Sequence, residues 1–553
     1  MITLAVIATA IPLIVYLIIG FLPYSRATST RDYFIYDQSV SASDYANTSV
    51  GYALQMAAIF LFTYWGALYG LGALWTPFFW AIGFYLLIVL LPRFLDYHAN
   101  GSTMHAYMAD TFGGSRLLQR LAATATLIGL LGTMMAEVDY TIQIYTPFIK
   151  TEFWQMMLGA AFLTFGLVYI IRNGYKAEVN TERTQIPIAY AALITVILCV
   201  LPAVWLHSGP FAYYIVVSLL VGTLLLVLVG KLRLGWRVAR KDLQLYIPVV
   251  GILAVTFLSA YVRGLVAGNS PSVLSQPVSF QMSAQGLVGL FSLLIANALW
   301  MPVDLSTWQR IASVQGNGAP LMRSLRKGTW RVLFESPATW ILGAILGICI
   351  SAGGFLGSSG DASQGLSLFA SFIADPYKAQ ASVLLPRLLY PIFLIASVTI
   401  MLSTVHCMIS AVSFTAYKDI ILSKKTESIK IARLWTILIV IVGMVLYPYL
   451  RFHYLASLPT LLYGAYSAQL SLIVVAILSL LRRRLDKRAA IASVLSGFAG
   501  TVVSVVLAIR IPDPDAQVLS PLFAVFCAIS GYMLFYGKKY SLNNAGMSNK
   551  DSD

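Results

Sequence analysis

Residues 388–419 read LLYPIFLIASVTIMLSTVHCMISAVSFTAYKD, an apolar run closed by Lys418 and Asp419. Between Arg387 and Lys418 about 30 residues pass without an Asp, Glu, Lys or Arg, roughly 45 Å as a helix and enough to cross a bilayer with tilt. The run nevertheless carries Thr399, Ser403, Ser410 and Ser413, with His406 and Cys407 alongside. Spacings of four, seven and ten residues gather these groups near one helical face. Lipid offers polar atoms no partners, so the face must meet other helices or something the protein binds.

The rest of the chain has the same character. Of 553 residues, 59% are hydrophobic and 11% charged, which excludes a soluble globular protein, where charged residues approach a quarter. Apolar runs recur from end to end, and a window of about 20 residues yields about 15 helices. They fall near 2–22, 46–70, 72–93, 118–148, 154–172, 184–206, 211–230, 245–263, 284–308, 329–357, 383–418, 430–451, 456–481, 489–509 and 518–537. The expected architecture is therefore an all-α polytopic membrane protein forming one membrane unit over 1–537. A polar tail, 538–553, is expected to be disordered. The first run, from Ile2 to Leu22, lacks a basic leader and cleavage site and reads as a retained helix.

A net charge of +15 would suggest nucleic acid in a soluble chain. Here the basic residues sit between apolar spans, where they set orientation. With the N-terminus outside, the inner loops 231–241, 310–331, 418–433 and 482–488 hold the Lys and Arg clusters, and the loops 267–281 and 356–374 hold none. The positive-inside rule gives N-out and C-in. Four cysteines (Cys199, Cys349, Cys407 and Cys527) all lie in apolar spans without disulfide or zinc spacing, and read as packing residues.

Polar groups at membrane depth mark the candidate sites. In 284–308, Pro302 removes a backbone donor, so the helix should kink or unwind between Asn297, Trp300 and Asp304. Broken helices of this kind build substrate and ion sites in secondary transporters, although a plain proline kink is also compatible. The span 46–70 carries Phe60, Phe62, Tyr64 and Trp65 close together, followed by Gly66, Gly70 and Gly72, a pattern that fits either a pocket wall or helix packing. A sodium ion needs an oxygen cage, which Ser403 and Thr404 would supply if they met carbonyls of an unwound helix. Alone, such hydroxyls commonly bond back to their own helix. Glu137 and Asp139 can bind a cation, carry a proton or pair structurally; His406 can relay a proton or simply pack. No nucleotide loop, zinc helix or nucleophile elbow occurs, so no enzyme is indicated.

Together these segments resemble the sodium:solute symporter family of proline, pantothenate and sodium–glucose carriers. Asp32-Tyr33-Phe34 resembles the family's cytoplasmic Asp-Tyr-Phe segment, and Phe62–Gly66 its Thr-Phe-x-Gly stretch. Gly174–Gln185 resembles the loop Gly-Gly-x-x-Ala-Val-x-x-Thr-Asp-x-x-Gln, with Glu182 in place of the Asp. Trp308-Gln309-Arg310 resembles the end of the sixth core helix, and Ser403-Thr404 with Asp419 the eighth.

The resemblance implies the leucine-transporter-like fold: inverted five-helix repeats, the first over 46–206 and the second over 284–481, with an inserted pair over 211–263. It implies a sodium site from the carbonyls of Met56, Ile59 and Ile400 and the hydroxyls of Ser403 and Thr404. It implies solute-facing positions at Phe62, Thr63, Asn297 and Trp300, with Asp304 and Glu182 as coupling or gating residues. Phe62 stands where sugar carriers have polar residues, and Ala58 where proline carriers have an Asp, so neither solute is favoured.

The expected function is sodium-coupled import of a small organic solute across a bacterial inner membrane, with sodium as the only metal and no other cofactor. The expected partners are the solute, sodium and membrane lipid, with no nucleic acid. A proton-coupled carrier and a transporter-like sensor are the alternatives. Neither the solute nor the oligomeric state follows from the sequence.

Overall fold

A computed structural model describes residues 1–21, 26–100, 103–232, 284–355, 365–375, 383–421, 428–453, 458–481, 486–510 and 518–547. The expected helix 245–263 and outer loop 267–281 lie outside these residues. Within them all regular structure is helical, apart from one parallel bridge between Val40 and Val314.

The chain begins with α1 (Ile2–Phe21), α2 (Thr30–Ile35), α3 (Ala42–Ala53), α4 (Met56–Tyr69), α5 (Trp75–Asn100), α6 (Met104–Thr111) and α7 (Arg116–Gln143). It continues through α8 (Glu152–Asn173), α9 (Tyr175–Leu232), α10 (Ala284–Leu299), α11 (Leu305–Ser313), α12 (Gly318–Ala352) and α13 (Gly365–Ile373). It ends with α14 (Leu389–Thr415), α15 (Ile429–His453), α16 (Leu458–Leu470), α17 (Ile473–Leu481), α18 (Lys487–Arg510) and α19 (Ser520–Met547).

Among the described residues ten helical stretches are long and apolar enough to cross a membrane. The chain is a multi-pass membrane protein. Two expected spans, 184–206 and 211–230, run on as the single stretch α9, broken only at Gly209, whose φ of 76° favours a residue without a Cβ. Residues 538–547, expected as disordered tail, continue α19 instead.

Two other expected spans are each two helices in line. The span 46–70 is α3 and α4, interrupted at Leu54 and Gln55, where ψ turns to 74° and 140°. The span 284–308 is α10 and α11, interrupted over 300–304. Such breaks survive at membrane depth only where neighbouring helices satisfy the freed backbone groups. Those neighbours are α7, α12 and α14. The apolar window of α14 is 89% buried, against 28% for α1 and for α15. The hydroxyl-bearing helix thus runs through the centre of the bundle, and the plainly apolar ones face lipid. It packs on α7, α9 and α3, while α12 packs on α3, α4, α5 and α9.

Local signals set the entries to these elements. Ser41, Thr103 and Ser115 each turn a side-chain oxygen to an amide of the first turn of α3, α6 and α7. Arg183 of α9 grips Asp44 through Nε at 2.7 Å and a second nitrogen at 2.8 Å, fixing the start of α3 against α9.

Candidate functional site

The break between α3 and α4 frees the carbonyls that end α3 and the amides that begin α4. Several of these groups find partners on other helices. The Ala53 carbonyl accepts from Trp340 Nε1 at 2.9 Å. The Leu54 carbonyl accepts from the Thr404 hydroxyl at 3.3 Å, and the Gly51 carbonyl lies 3.2 Å from the Ser403 hydroxyl. On the other side, the amides of Met56 and Ala57 donate to the two oxygens of Glu137 at 2.7 and 3.0 Å. The carboxylate caps the second half-helix, where the helix dipole favours negative charge.

The second break is built alike. Asp304 caps α11, accepting from the amides of Ser306 (3.3 Å) and Thr307 (2.9 Å) and from the Thr307 hydroxyl (2.6 Å). The Tyr52 hydroxyl donates to Asp304 Oδ1 at 3.1 Å, so the last turn of α3 ties one break to the other. Pro302 lies in the break, as its missing donor requires, and its carbonyl accepts from Trp308 Nε1 at 2.9 Å.

Between the breaks lies a cavity of about 50 Å³. That holds a few waters rather than a solute, so the walls are closed in this conformation. Gln55, Phe62, Trp80, Trp300, Trp340 and Tyr466 are among its lining residues. Phe62 stacks on Trp340 with ring centroids 4.7 Å apart, and Trp340 on Trp80 at 4.3 Å. Trp300 meets Tyr466 edge to face at 4.7 Å, and the Tyr466 hydroxyl donates to Gln55 Oε1 at 2.6 Å.

Of the solute-facing positions expected from the sequence, Phe62, Asn297 and Trp300 line this cavity. Thr63 does not; its hydroxyl donates to the Gly343 carbonyl of α12 at 3.2 Å. Of the expected sodium ligands, Ser403 and Thr404 face the break, and the Ile400 carbonyl is 3.2 Å from the Thr404 hydroxyl. Met56 lies at the cap on Glu137, and the Ile59 carbonyl lies close to Gly343 of α12. Besides the Ile400 carbonyl, those of Gly51 and Leu54 meet the Ser403–Thr404 pair.

Glu182 stands beside this pair. Its Oε1 lies 2.6 Å from Ser403 Oγ, 3.1 Å from His406 Nε2 and 3.6 Å from Cys407 Sγ. His406 Nδ1 is 2.6 Å from the Tyr169 hydroxyl. The acid, imidazole and thiol atoms fall within 4.8 Å of one another in a fully buried cluster. His406, read in the sequence as a proton relay or a packing residue, and Cys407, read as a packing residue, thus address a carboxylate. Glu137 and Asp139 part company. Glu137 serves the break, whereas Asp139 takes Gln143 at 2.8 Å and Tyr447 at 3.3 Å. Asp419 receives the Thr103 hydroxyl, His105 Nδ1 at 2.7 Å and Gln119 Nε2 at 2.9 Å, fastening the end of α14 to α6 and α7.

Sequence reasoning missed Gln55, Trp80, Trp340 and Tyr466 as cavity walls and the Gly51 carbonyl as a neighbour of Ser403. Only Gln55, an amide inside an apolar run, carried a local signal.

No protein-family model matches the chain, and no curated protein does. Its fold is similar to that of a Na+-coupled sialic acid symporter solved in a substrate-bound outward-open state. That likeness has a TM-score of 0.61 at 14% identity and covers 96% of this chain and 97% of the other. It is also similar, with a TM-score of 0.48 at 13% identity, to a nucleobase-cation-symport-1 family transporter in a closed conformation with bromovinylhydantoin bound. There 93% of this chain and 96% of the other are covered. At this identity the first likeness is one of fold: the chain has the leucine-transporter-like fold.

Proposed function

We propose that the chain is a secondary active symporter that couples sodium entry to import of a small organic solute by alternating access in a bacterial inner membrane. One observation carries the reading: the hydroxyls of Ser403 and Thr404 meet backbone carbonyls of a broken helix beside an enclosed cavity. Hydroxyl and carbonyl oxygens are the ligands a hard monovalent cation takes. The ligand set on this reading is the hydroxyl pair with the carbonyls of Gly51, Leu54 and Ile400. The likeness in fold to a Na+-coupled symporter is in keeping with it.

Sodium bound there joins α14 to the end of α3 and favours the outward-open arrangement. Solute then settles between the breaks under Trp300, and closure opens the inner side. Each sodium charge crossing the membrane contributes about 2.3 kcal/mol per 100 mV toward accumulation. Ser403→Ala with Thr404→Ala in proteoliposomes tests the assignment. Sodium-dependent uptake is expected to disappear while protein yield holds, and unchanged uptake overturns the sodium site.

A proton-coupled carrier is the second reading, favoured by hydrogen-bond counting. The Ser403 hydroxyl has one hydrogen yet lies against two acceptors, Glu182 Oε1 and the Gly51 carbonyl. A proton on Glu182 supplies the missing donor. Uptake driven by a pH gradient in sodium-free medium would favour this reading.

A further inference from the structure

The Ala53 carbonyl and the Leu54 amide belong to one peptide unit, which stands between the cavity and the Ser403–Thr404 pair. A peptide unit is planar, so whatever aims its oxygen also aims its N–H. Trp340 aims the oxygen: its indole Nε1 donates to the Ala53 carbonyl at 2.9 Å. The Thr339 hydroxyl lies 3.4 Å from the same carbonyl, but its single hydrogen goes to the Ser336 carbonyl at 2.7 Å. The N–H of the unit reaches back to the carbonyls of Val50 at 2.9 Å and Gly51 at 3.2 Å. That Gly51 carbonyl is the one 3.2 Å from the Ser403 hydroxyl. One residue on, the Leu54 carbonyl takes the Thr404 hydroxyl at 3.3 Å. One indole thus sets the stretch of backbone on which both hydroxyl contacts depend.

The other side of Trp340 is the cavity wall. Its ring is stacked between Phe62 and Trp80, at interplanar angles of 26° and 30°, and all three rings line the cavity. Trp80 is anchored elsewhere, its Nε1 donating to Ser336 Oγ at 2.7 Å, and Phe62 has no donor to give. Trp340 is therefore the member of this stack that also bonds the break. Its indole is buried with a ring on each face, so it cannot tilt independently of the wall. Close-packed interiors pass a displacement on rather than absorb it.

We infer that Trp340 is the positioning residue that couples the solute cavity to the sodium site. Solute pressing on the stacked rings tilts the indole, and the indole turns the Ala53–Leu54 peptide. The peptide in turn shifts the carbonyls that face Ser403 and Thr404. By linkage the contact also runs in reverse, with sodium binding resetting the wall. The inference rests on the proposed function in taking Ser403 and Thr404 as sodium ligands.

The test reads both ends in the purified full-length protein, with potassium chloride holding ionic strength constant. Thermal unfolding gives the half-saturating sodium concentration. Asn297→Cys reports the cavity through its rate of reaction with N-ethylmaleimide, in excess of the parent chain. Sodium is expected to raise that rate, since it favours the outward-open arrangement. Trp340→Phe keeps a ring in the stack and removes the N–H. It is expected to raise half-saturating sodium roughly three- to tenfold, the worth of one hydrogen bond, and to abolish the sodium dependence of labelling. Trp80→Phe removes an N–H from the same stack but not from the break, and is expected to leave both readouts as in the parent. Phe62→Leu takes a stacking partner from Trp340 and is expected to raise half-saturating sodium as well, which keeps the test open should Trp340→Phe fail to accumulate. A merely structural Trp340 would lower the midpoint without sodium and leave half-saturation unmoved. Readouts unmoved by Trp340→Phe or by Phe62→Leu, or moved equally by Trp80→Phe, overturn the coupling and leave the sodium site standing. No response of the parent to sodium overturns both.

Discussion

The carboxylate of Glu182 lies flat against the α-carbon of Gly51, in the space a Cβ at Gly51 would fill. This close approach explains why residue 51 lacks a side chain, and it puts a buried acid against the last turn before the helix break. Through Ser403, which touches both residues, the same contact reaches α14.

Gly51→Ala should therefore displace Glu182. An added methyl group in a filled site costs about 1–3 kcal/mol, because the neighbour must leave its rotamer. A lowered unfolding midpoint is expected, with recovery in the double variant Gly51→Ala/Glu182→Ala, which removes the obstruction. An unaltered midpoint in the single variant would show that the acid does not occupy this space.

Glu137→Ala should harm the fold more than its burial of a polar side chain suggests. It strips the partner from two amides at membrane depth, and each unpaired buried donor costs about 1–3 kcal/mol. Glu137→Gln keeps one acceptor oxygen and turns an NH2 toward the other amide, so it should fall between wild type and Ala. The order of the three midpoints in detergent checks the cap; Gln equal to Ala would count against it.

Asp419→Asn should free the C-terminal end of α14. The carboxylate accepts from Thr103, His105 and Gln119, whereas an amide has one acceptor oxygen and brings donors of its own. Faster hydrogen exchange in Met104–Thr111 is the expected signature, since α6 is held there through Thr103 and His105. Unchanged exchange in α6 would mean that other contacts hold it.

Much of this architecture was legible because lipid allows few backbone solutions. Apolar runs with a helical period mark spans, and Pro302 announced the second break. The first break had no such herald. Attention falls on Gly66, Gly70 and Gly72, yet the helix parts at Leu54 and Gln55, where neither glycine nor proline stands. What opens it is distant in sequence: Glu137, Trp340 and Thr404 supply the partners the backbone loses. Local propensity carries no record of them. Helical geometry explains the remaining differences. One step from Phe62 turns Thr63 from the cavity to α12, and the two steps from Glu137 to Asp139 send one acid to the break and the other to Tyr447.

Gly66 and Gly347 lie at the crossing of α4 and α12, the helix packing that is one of the two readings of the glycines in this span. A Cβ on Gly66 would overlap the Ala344 carbonyl, and a Cβ on Gly347 would overlap the Thr63 carbonyl and approach the Ala67 amide at 2.8 Å. These obstacles are backbone atoms, which cannot swing aside as a side chain can. In a bilayer, apolar surface gives helices no preference for each other over lipid, so the crossing is held by packing that only close approach provides. Gly66→Ala and Gly347→Ala should each push the helices apart and expose the cavity wall, because Phe62 and Trp340 sit on these two helices and stack across them. The expected result is a loss of about 1–3 kcal/mol or failure to accumulate in the membrane. Gly222 on α9 is the control, since a Cβ there meets nothing within 4 Å and alanine has the better helix propensity. Thermal unfolding of the three alanine variants should leave Gly222→Ala at or above wild type and lower the other two. Parity among the three would mean that α4 and α12 do not cross as closely as their glycines allow.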